Sequence, residues 1–329
     1  MIKKTTLHIF DNVSDKQVCV LGDLMLDVYY FGDVKRISPE APVQVFEKMT
    51  SEVKLGGAAN VGLNIKSLGA IPYMIGVIGK DEEGRLMKNI FRDLNISTEG
   101  ILEIDERPTT CKTRVIASSH HLLRIDSESK QDIPQSAEDE IMNILAAKIK
   151  DFSSIILQDY NKGVLTKRLI SKVIKLANEN NVKVLVDPKF NNFFEYKNVF
   201  VFKPNRKELQ DAFGRMPKST EELDKISEEL IEKIGCKNLV LTLGEYGLRL
   251  YEKNGDEIIK DSIKTKARNV ADVSGAGDTV ISTLAVCIAC GASIKDAVTI
   301  ANFAAGLVVE EVGIVPVNKD KLIKQILGQ

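Results

Sequence analysis

The octet DVSGAGDT, Asp272 to Thr279, puts a carboxylate inside a glycine-rich turn just ahead of the apolar stretch from Val280 to Cys290. Two glycines flanking an alanine at a helix start let the backbone N–H groups of Gly275, Ala276 and Gly277 converge on one point, where the helix dipole adds positive potential. This is the makings of an anion hole. Asp278, in the first helical turn, would ordinarily be a dipole partner worth ~0.3–1 kcal/mol. Beside a phosphate cradle it can instead take a proton from an attacking hydroxyl while the amides stabilise charge on the transferring group. A simple helix cap has the same local pattern, so the catalytic reading needs agreement elsewhere in the chain.

Agreement comes first from LGGAAN, Leu55 to Asn60, which opens a helical stretch. Gly56 and Gly57 allow close approach of a ligand to the backbone, and Asn60 offers a donor and an acceptor to vicinal hydroxyls. Asp23 and Asp27, four apart after the first apolar run, are both able to accept hydrogen bonds from sugar hydroxyls. Other phosphate motifs fail: Gly76-Val77-Ile78-Gly79-Lys80 has the wrong spacing for a P-loop, and no G-x-G-x-x-G follows the first strand.

The elements that must position these groups alternate between β-rich and amphipathic helical stretches, as in a mainly parallel sheet covered by helices. Val18–Gly22, Ser154–Gln158, Val182–Val186, Val199–Phe202 and Leu239–Leu243 read as buried strands. Asp23, Asp159, Asp187, Lys203 and Gly244 follow them directly, and right-handed crossovers place those residues on one edge, where open α/β sheets bind ligands. Ala58, Val61, Ile65 and Leu68 share one helix face, as do Ile300, Ala301, Ala304, Leu307 and Val308. Residues 28–47 and 112–126 break this rhythm with alternating β-rich runs, which predict a second, smaller sheet. The pattern fits a flap over the active-site edge and an extra surface sheet equally.

With 329 residues, 44% of them hydrophobic, the chain can bury a substantial core. Lys+Arg 45 against Asp+Glu 46 offers no nucleic-acid surface, so any anion must be held locally. The polar N-terminus lacks the apolar run of a signal peptide, and the uncharged stretch at 279–294 falls short of the ~18–20 apolar residues of a membrane span. A cytoplasmic location without membrane partners is the expectation. Five cysteines read as reduced thiols; the C-x-x-C at Cys287 and Cys290 lies at a helix end, where the dipole raises a thiol pKa.

In order along the chain, GDLMLD, LGGAAN, KPNRKE, LTLGEYG and DVSGAGDT resemble the signatures of the ribokinase-like (PfkB) carbohydrate kinases. The resemblance implies an α/β fold: a three-layer α/β/α core with a mainly parallel central sheet, a small β-sheet lid and one kinase domain over residues 1–329. A narrower resemblance, in GDLMLDVYYFGDVKRISPEAPVQVFE, GGAANVGLNIKSLGA, HLLRIDSE and QDYNKG, points to the kinases that phosphorylate D-glycero-β-D-manno-heptose 7-phosphate at the anomeric hydroxyl, in ADP-heptose and lipopolysaccharide synthesis. The end at Gln329 resembles the stand-alone form.

By this resemblance Asp278 is the base, with Gly275, Ala276 and Gly277 as the anion hole. Asp23, Asp27, Gly56, Gly57, Asn60 and Asp187 line the sugar site, with Arg124 or Lys189 on the substrate phosphate. Asn205 and Glu208 organise the ATP phosphates and Mg²⁺, Glu208 through water. Thr242, Gly244, Gly247 and Asn302 hold the nucleotide, and a homodimer forms through lid strands. Gln158, Asn161 and Ser274 stand where Ser, Ala and Thr are expected, and VGIVPV at 312–317 replaces an expected G-T-S, which puts K⁺ dependence in question. A kinase for another sugar, a non-catalytic sugar or nucleotide sensor and a dinucleotide-dependent oxidoreductase are the competing readings.

Overall fold

The computed structural model describes residues 2–118, 120–267 and 270–328. Thirteen strands among them form two sheets. The larger contains β1 (Gln17–Gly22), β4 (Ile71–Gly79), β5 (Ser97–Ile104), β8 (Ser154–Gln158), β9 (Lys183–Asp187), β10 (Val201–Phe202), β11 (Asn238–Thr242), β12 (Leu248–Asn254) and β13 (Glu257–Ile263). Its order is β13-β12-β11-β10-β9-β8-β1-β4-β5, parallel from β5 through β11, with β12 and β13 antiparallel at one edge.

The sequence of β1 explains the layering. Val18 and Val20 point to one apolar core and Cys19 and Leu21 to the other, because successive side chains alternate across a strand. The first core is closed by helices α1 (Ile2–Asp11), α2 (Ala58–Ser67), α3 (Glu82–Asp93), α8 (Ala276–Ala289), α9 (Ile294–Val308) and α10 (Lys319–Leu327). The second lies under α4 (Gln135–Lys148), α5 (Lys167–Glu179), α6 (Arg206–Phe213) and α7 (Thr220–Ile234). This is the predicted three-layer arrangement.

The smaller sheet, order β3-β2-β6-β7, is built from β2 (Leu24–Ile37), β3 (Gln44–Gly57), β6 (Thr110–Ala117) and β7 (His120–Ser127). It occupies both stretches expected to leave the core, but its strands run longer than 28–47 and 112–126. β2 starts immediately after Asp23, and its first residues, LMLDV, are buried like core, which hides the boundary. The near-miss phosphate motif lies at the end of β4; Asp81 caps α3 there by accepting the Gly84 N–H at 2.8 Å, and Lys80 pairs with Asp105. All five cysteines are free and buried, and burial pushes the Cys290 thiol up to about 11. No described helix is long and apolar enough to cross a membrane.

Candidate active site

Parallel pairing sets the floor of the site. Gly22 is in register with Gln158, and Gln158 with Asp187, so the carboxyl ends of β1, β8 and β9 present their next residues side by side. Helix α8 begins over this edge. Gly275 takes φ +79°, a left-handed conformation that favours glycine, and a Cβ there would lie 3.3 Å from Asn60 Nδ2. The Ala276 N–H is turned back to the Val273 carbonyl at 3.3 Å. That corrects the expected trio of converging amides: the orphan donors of the first turn come from its neighbours Gly275 and Gly277. A Cβ at Gly277 would lie 3.5 Å from Lys203 Nζ and 3.8 Å from Asp187 Oδ2, so a cation stands beside this turn.

Asp278 is 5% exposed and held by three donors. Oδ2 accepts from Asn60 Nδ2 at 2.8 Å; Oδ1 accepts from the Tyr160 hydroxyl at 2.7 Å and from Gln158 Nε2 at 3.1 Å. Burial pushes its pKa up to about 6, the charge of Asp187 adds to the rise, and the bonds from Asn60 and Tyr160 oppose it. A carboxylate tuned this way is ionised near neutrality yet basic enough to accept a proton. Asp187 in turn accepts from Gln158 Nε2 at 3.2 Å and pairs with the buried Lys203 at 3.0 Å.

On one side of Asp278 opens a cavity of about 780 Å³. Asp187, Lys189, Lys203, Asn205, Glu208, Thr242, Gly244, Gly247, Gly275, Ala276, Gly277, Asp278 and Asn302 all line it. Leu243, Leu248, Val273, Ala305 and Val309 give it an apolar wall. The N-x-x-E spacing proves to be a capping box: Asn205 Oδ1 accepts the Glu208 N–H and Glu208 Oε2 accepts the Asn205 N–H, both at 2.8 Å. The other Glu208 oxygen pairs with Lys189. Asn302 Nδ2 donates to the Lys264 carbonyl at 2.7 Å, fixing the wall where α9 meets the end of β13. Among the described residues no three His, Cys, Asp or Glu side chains form a metal cage. Glu208 and Asp187 are among the carboxylates that border the cavity.

The other side of Asp278 faces the smaller sheet. Asn60, at the start of α2, is buried, and Gly56 and Gly57 end β3 at the base of that sheet. A Cβ on Gly56 would fall 2.2 Å from Asp27 Oδ2, so glycine is what admits that carboxylate. Cross-strand register lays Lys54, Asp27, Lys112 and Asp126 in one row, and Glu52, Tyr29, Arg114 and Arg124 in the next row on the same face. Arg114 pairs with Asp27 and sits over the Tyr29 ring. Arg124 is largely exposed and pairs with Asp126 at 2.9 Å. Lys189 lies at the opposite cavity, so the structure separates the two cations expected at the sugar phosphate. The Asp23 carboxylate accepts the N–H groups of Tyr160, Lys162 and Val164 at 2.8 to 3.2 Å and shapes the turn after β8.

Gln158, Tyr160, Lys203 and Arg114 carry contacts to which motif reading assigns no role. Three of them lie at or just past strand ends on the ligand edge, the one signal that points their way.

Residues 15–320 match the family described as pfkB family carbohydrate kinase. The chain belongs to this family. It is a carbohydrate kinase. Among curated relatives it is 39% identical over 326 residues to "Bifunctional protein HldE" of Citrifermentans bemidjiense, covering 99% of this chain and 66% of that protein. A protein of the same name from Aliarcobacter butzleri is 41% identical over 305 residues, covering 93% of this chain and 63% of its own length. The chain thus spans less than two thirds of the length of these relatives. Among solved structures, the ribokinase of Arabidopsis thaliana complexed with ribose and ATP superposes with a TM-score of 0.73 at 21% identity, covering 95% of this chain and 99% of that one. Phosphofructokinase-2 of Escherichia coli in complex with potassium gives 0.76 at 17%, covering 95% and 98%. These two show the fold.

Proposed function

We propose that this kinase transfers the γ-phosphoryl group of ATP to O1 of D-glycero-β-D-manno-heptose 7-phosphate, giving the 1,7-bisphosphate for ADP-heptose and lipopolysaccharide core synthesis. The observation that carries the catalytic half is the buried Asp278 carboxylate at the junction of the 780 Å³ cavity and the lid side, beside the glycine turn and Lys203. The acceptor half is supported by the 39% identity to a protein named HldE and by the lid motifs from Gly22 to Glu47.

The sugar hydroxyl gives its proton to Asp278 as its oxygen forms a bond to the γ phosphorus. The bond from that phosphorus to the β–γ bridging oxygen breaks, and ADP leaves with the electron pair. Gly275, Gly277 and Lys203 meet the charge that spreads over the transferring oxygens, and magnesium supplies further charge compensation when bound. Asn60, Gly57 and Asp27 orient the sugar. Arg114, with Arg124 across the strand pair, supplies the cationic face for the 7-phosphate, the planar fork that suits an anion. The apolar wall of the cavity, which Asn302 also lines, takes the adenine. K⁺ acts as an activator at most in this reading; Asp272, the carboxylate beside the 312–317 loop, accepts the N–H groups of Ser274 and Gly313, one on each oxygen.

The lid also supports a homodimer. Its second face carries Val53, Leu123 and Ile125, 36%, 57% and 51% exposed, and β7 is an exposed edge strand. The deciding experiment incubates the protein with ATP, Mg²⁺ and heptose 7-phosphate, fructose 6-phosphate or ribose, and identifies the products by mass and phosphorus NMR. A heptose 1,7-bisphosphate formed with the highest kcat/KM is the expected result. Turnover of another sugar with none for the heptose phosphate sinks the assignment.

A further inference from the structure

Asp278 is asymmetric in its hydrogen bonding. A carboxylate oxygen has two in-plane acceptor positions. Oδ1 uses both, for the Tyr160 hydroxyl at 2.7 Å and Gln158 Nε2 at 3.1 Å, whereas Oδ2 has one bond, from Asn60 at 2.8 Å. The donors on Oδ1 are themselves held. Tyr160 is fixed at its backbone by the Asp23 bond, 2.8 Å, and at its ring by Lys189, whose Nζ lies 5.5 Å from the centroid. Gln158, fully buried, reaches Asp278 and Asp187 with the same amide nitrogen, because the β8–β9 register places it beside Asp187. Its Oε1 has no hydrogen-bond partner among the described residues. A buried unpaired acceptor is costly, and reversing the amide would aim that oxygen at two carboxylates. The orientation that leaves Oε1 unpaired is therefore the one the two acids impose.

We propose that Tyr160 and Gln158 are positioning residues that saturate Oδ1 of Asp278, so that the attacking hydroxyl delivers its proton to Oδ2. This rests on Asp278 being the base. Asp23 supports the same arrangement from behind, since by gathering three N–H groups of the 160–164 turn it sets the Tyr160 hydroxyl against the catalytic carboxylate. Tyr160 donates its O–H to Asp278, since burial and the charges of Asp278 and Asp187 hold its phenol protonated. The charged groups facing Asp278 are Asp187 on β9, Lys203 after β10 and Lys189 beyond the β9 end.

Tyr160→Phe deletes one hydroxyl and keeps the ring over Lys189. Losing a hydrogen bond that favours the ionised form should move the acidic limb of kcat/KM up by about one pH unit and lower kcat about tenfold. KM for ATP should stay within about twofold by the same arithmetic. Carbon-13 titration of the aspartate carboxyls in the ligand-free enzyme should show the same upward move for one residue, independent of any acceptor. Gln158→Leu should act in the same direction. A role confined to packing would move neither the limb nor the titration, so an unchanged carboxyl titration with an unchanged limb in Tyr160→Phe overturns the inference. Asp278→Asn, run in parallel, separates the two levels: if it keeps wild-type kcat, the assignment of the base falls as well; if it is inactive while Tyr160→Phe behaves as wild type, only the saturation of Oδ1 falls.

Discussion

Replacing Asp278 by Asn should trade turnover for stability. The general base contributes on the order of 10²–10⁴-fold to such reactions, so kcat should fall by that factor while ATP affinity holds. The stability term follows from burial. In the fold the Asp278 carboxyl titrates at about 6 instead of 3.8, so folding favours the protonated acid. At about 1.4 kcal/mol per pH unit the ionised group costs ~3 kcal/mol above pH 6, and nothing well below 3.8. Asn escapes this cost but turns an N–H toward donors, leaving one of them without its acceptor, a loss of roughly 1–3 kcal/mol that does not vary with pH.

The net change at one pH is therefore small, whereas its slope is firm. Of the ~3 kcal/mol, about half develops between pH 5 and pH 8, so the variant should gain ~1.5 kcal/mol on the wild type across that interval. With an unfolding entropy of ~2.1 cal/mol/K per residue, this is a widening of about 2 °C in the Tm difference. Urea unfolding at the two pH values, with kcat and ATP binding on the same samples, provides the assay. A kcat within about tenfold of wild type removes Asp278 from the chemistry; a stability difference that is flat in pH refutes the argument from burial.

Three further outcomes follow from the same geometry. The kcat/KM profile of the wild type should lose activity as pH falls through about 6, because Asp278 must be ionised to accept the proton; a flat profile from pH 5 to 8 contradicts it. Arg114→Gln should raise KM for a phosphorylated sugar by about 10–100-fold, the worth of a charge-assisted bond, and leave that for ATP nearly unchanged. Arg124→Gln, at a largely exposed side chain, should do less, and the reverse order would exchange their roles. Lys203→Met should lower stability by about 3–5 kcal/mol, since it leaves Asp187 buried without its cation, and should depress turnover; an unchanged melting temperature would show the pair to be weak.

Much of this architecture is legible in consecutive residues. β-rich runs ending in Asp23, Asp159, Asp187 and Lys203 mark the ligand edge because a parallel strand and its following loop are encoded locally. The smaller sheet is visible from the alternating runs within 28–47 and 112–126, but its true extent is hidden where LMLDV leaves the core without a change in polarity. Strands β4 and β5, beyond β1, and the antiparallel pair β12 and β13 are not among the five runs read as core strands, although β4, IPYMIGVIG, is apolar and buried. The N-x-x-E spacing reads as a phosphate and metal device. In the fold it first satisfies the end of α6, and only then does its carboxylate border the cavity.

The sequence by itself determined the family, the layer order and the glycine turn that carries Asp278, since each depends on neighbours along the chain. Only the tertiary structure decided how that carboxylate is used. Asn60, Gln158, Tyr160, Asp187 and Lys203 are brought around it by strand register and by the packing of α2 against α8, across separations of up to 218 residues. Protonation depends on what surrounds a charge in space, and nothing in the octet around Asp278 specifies those surroundings.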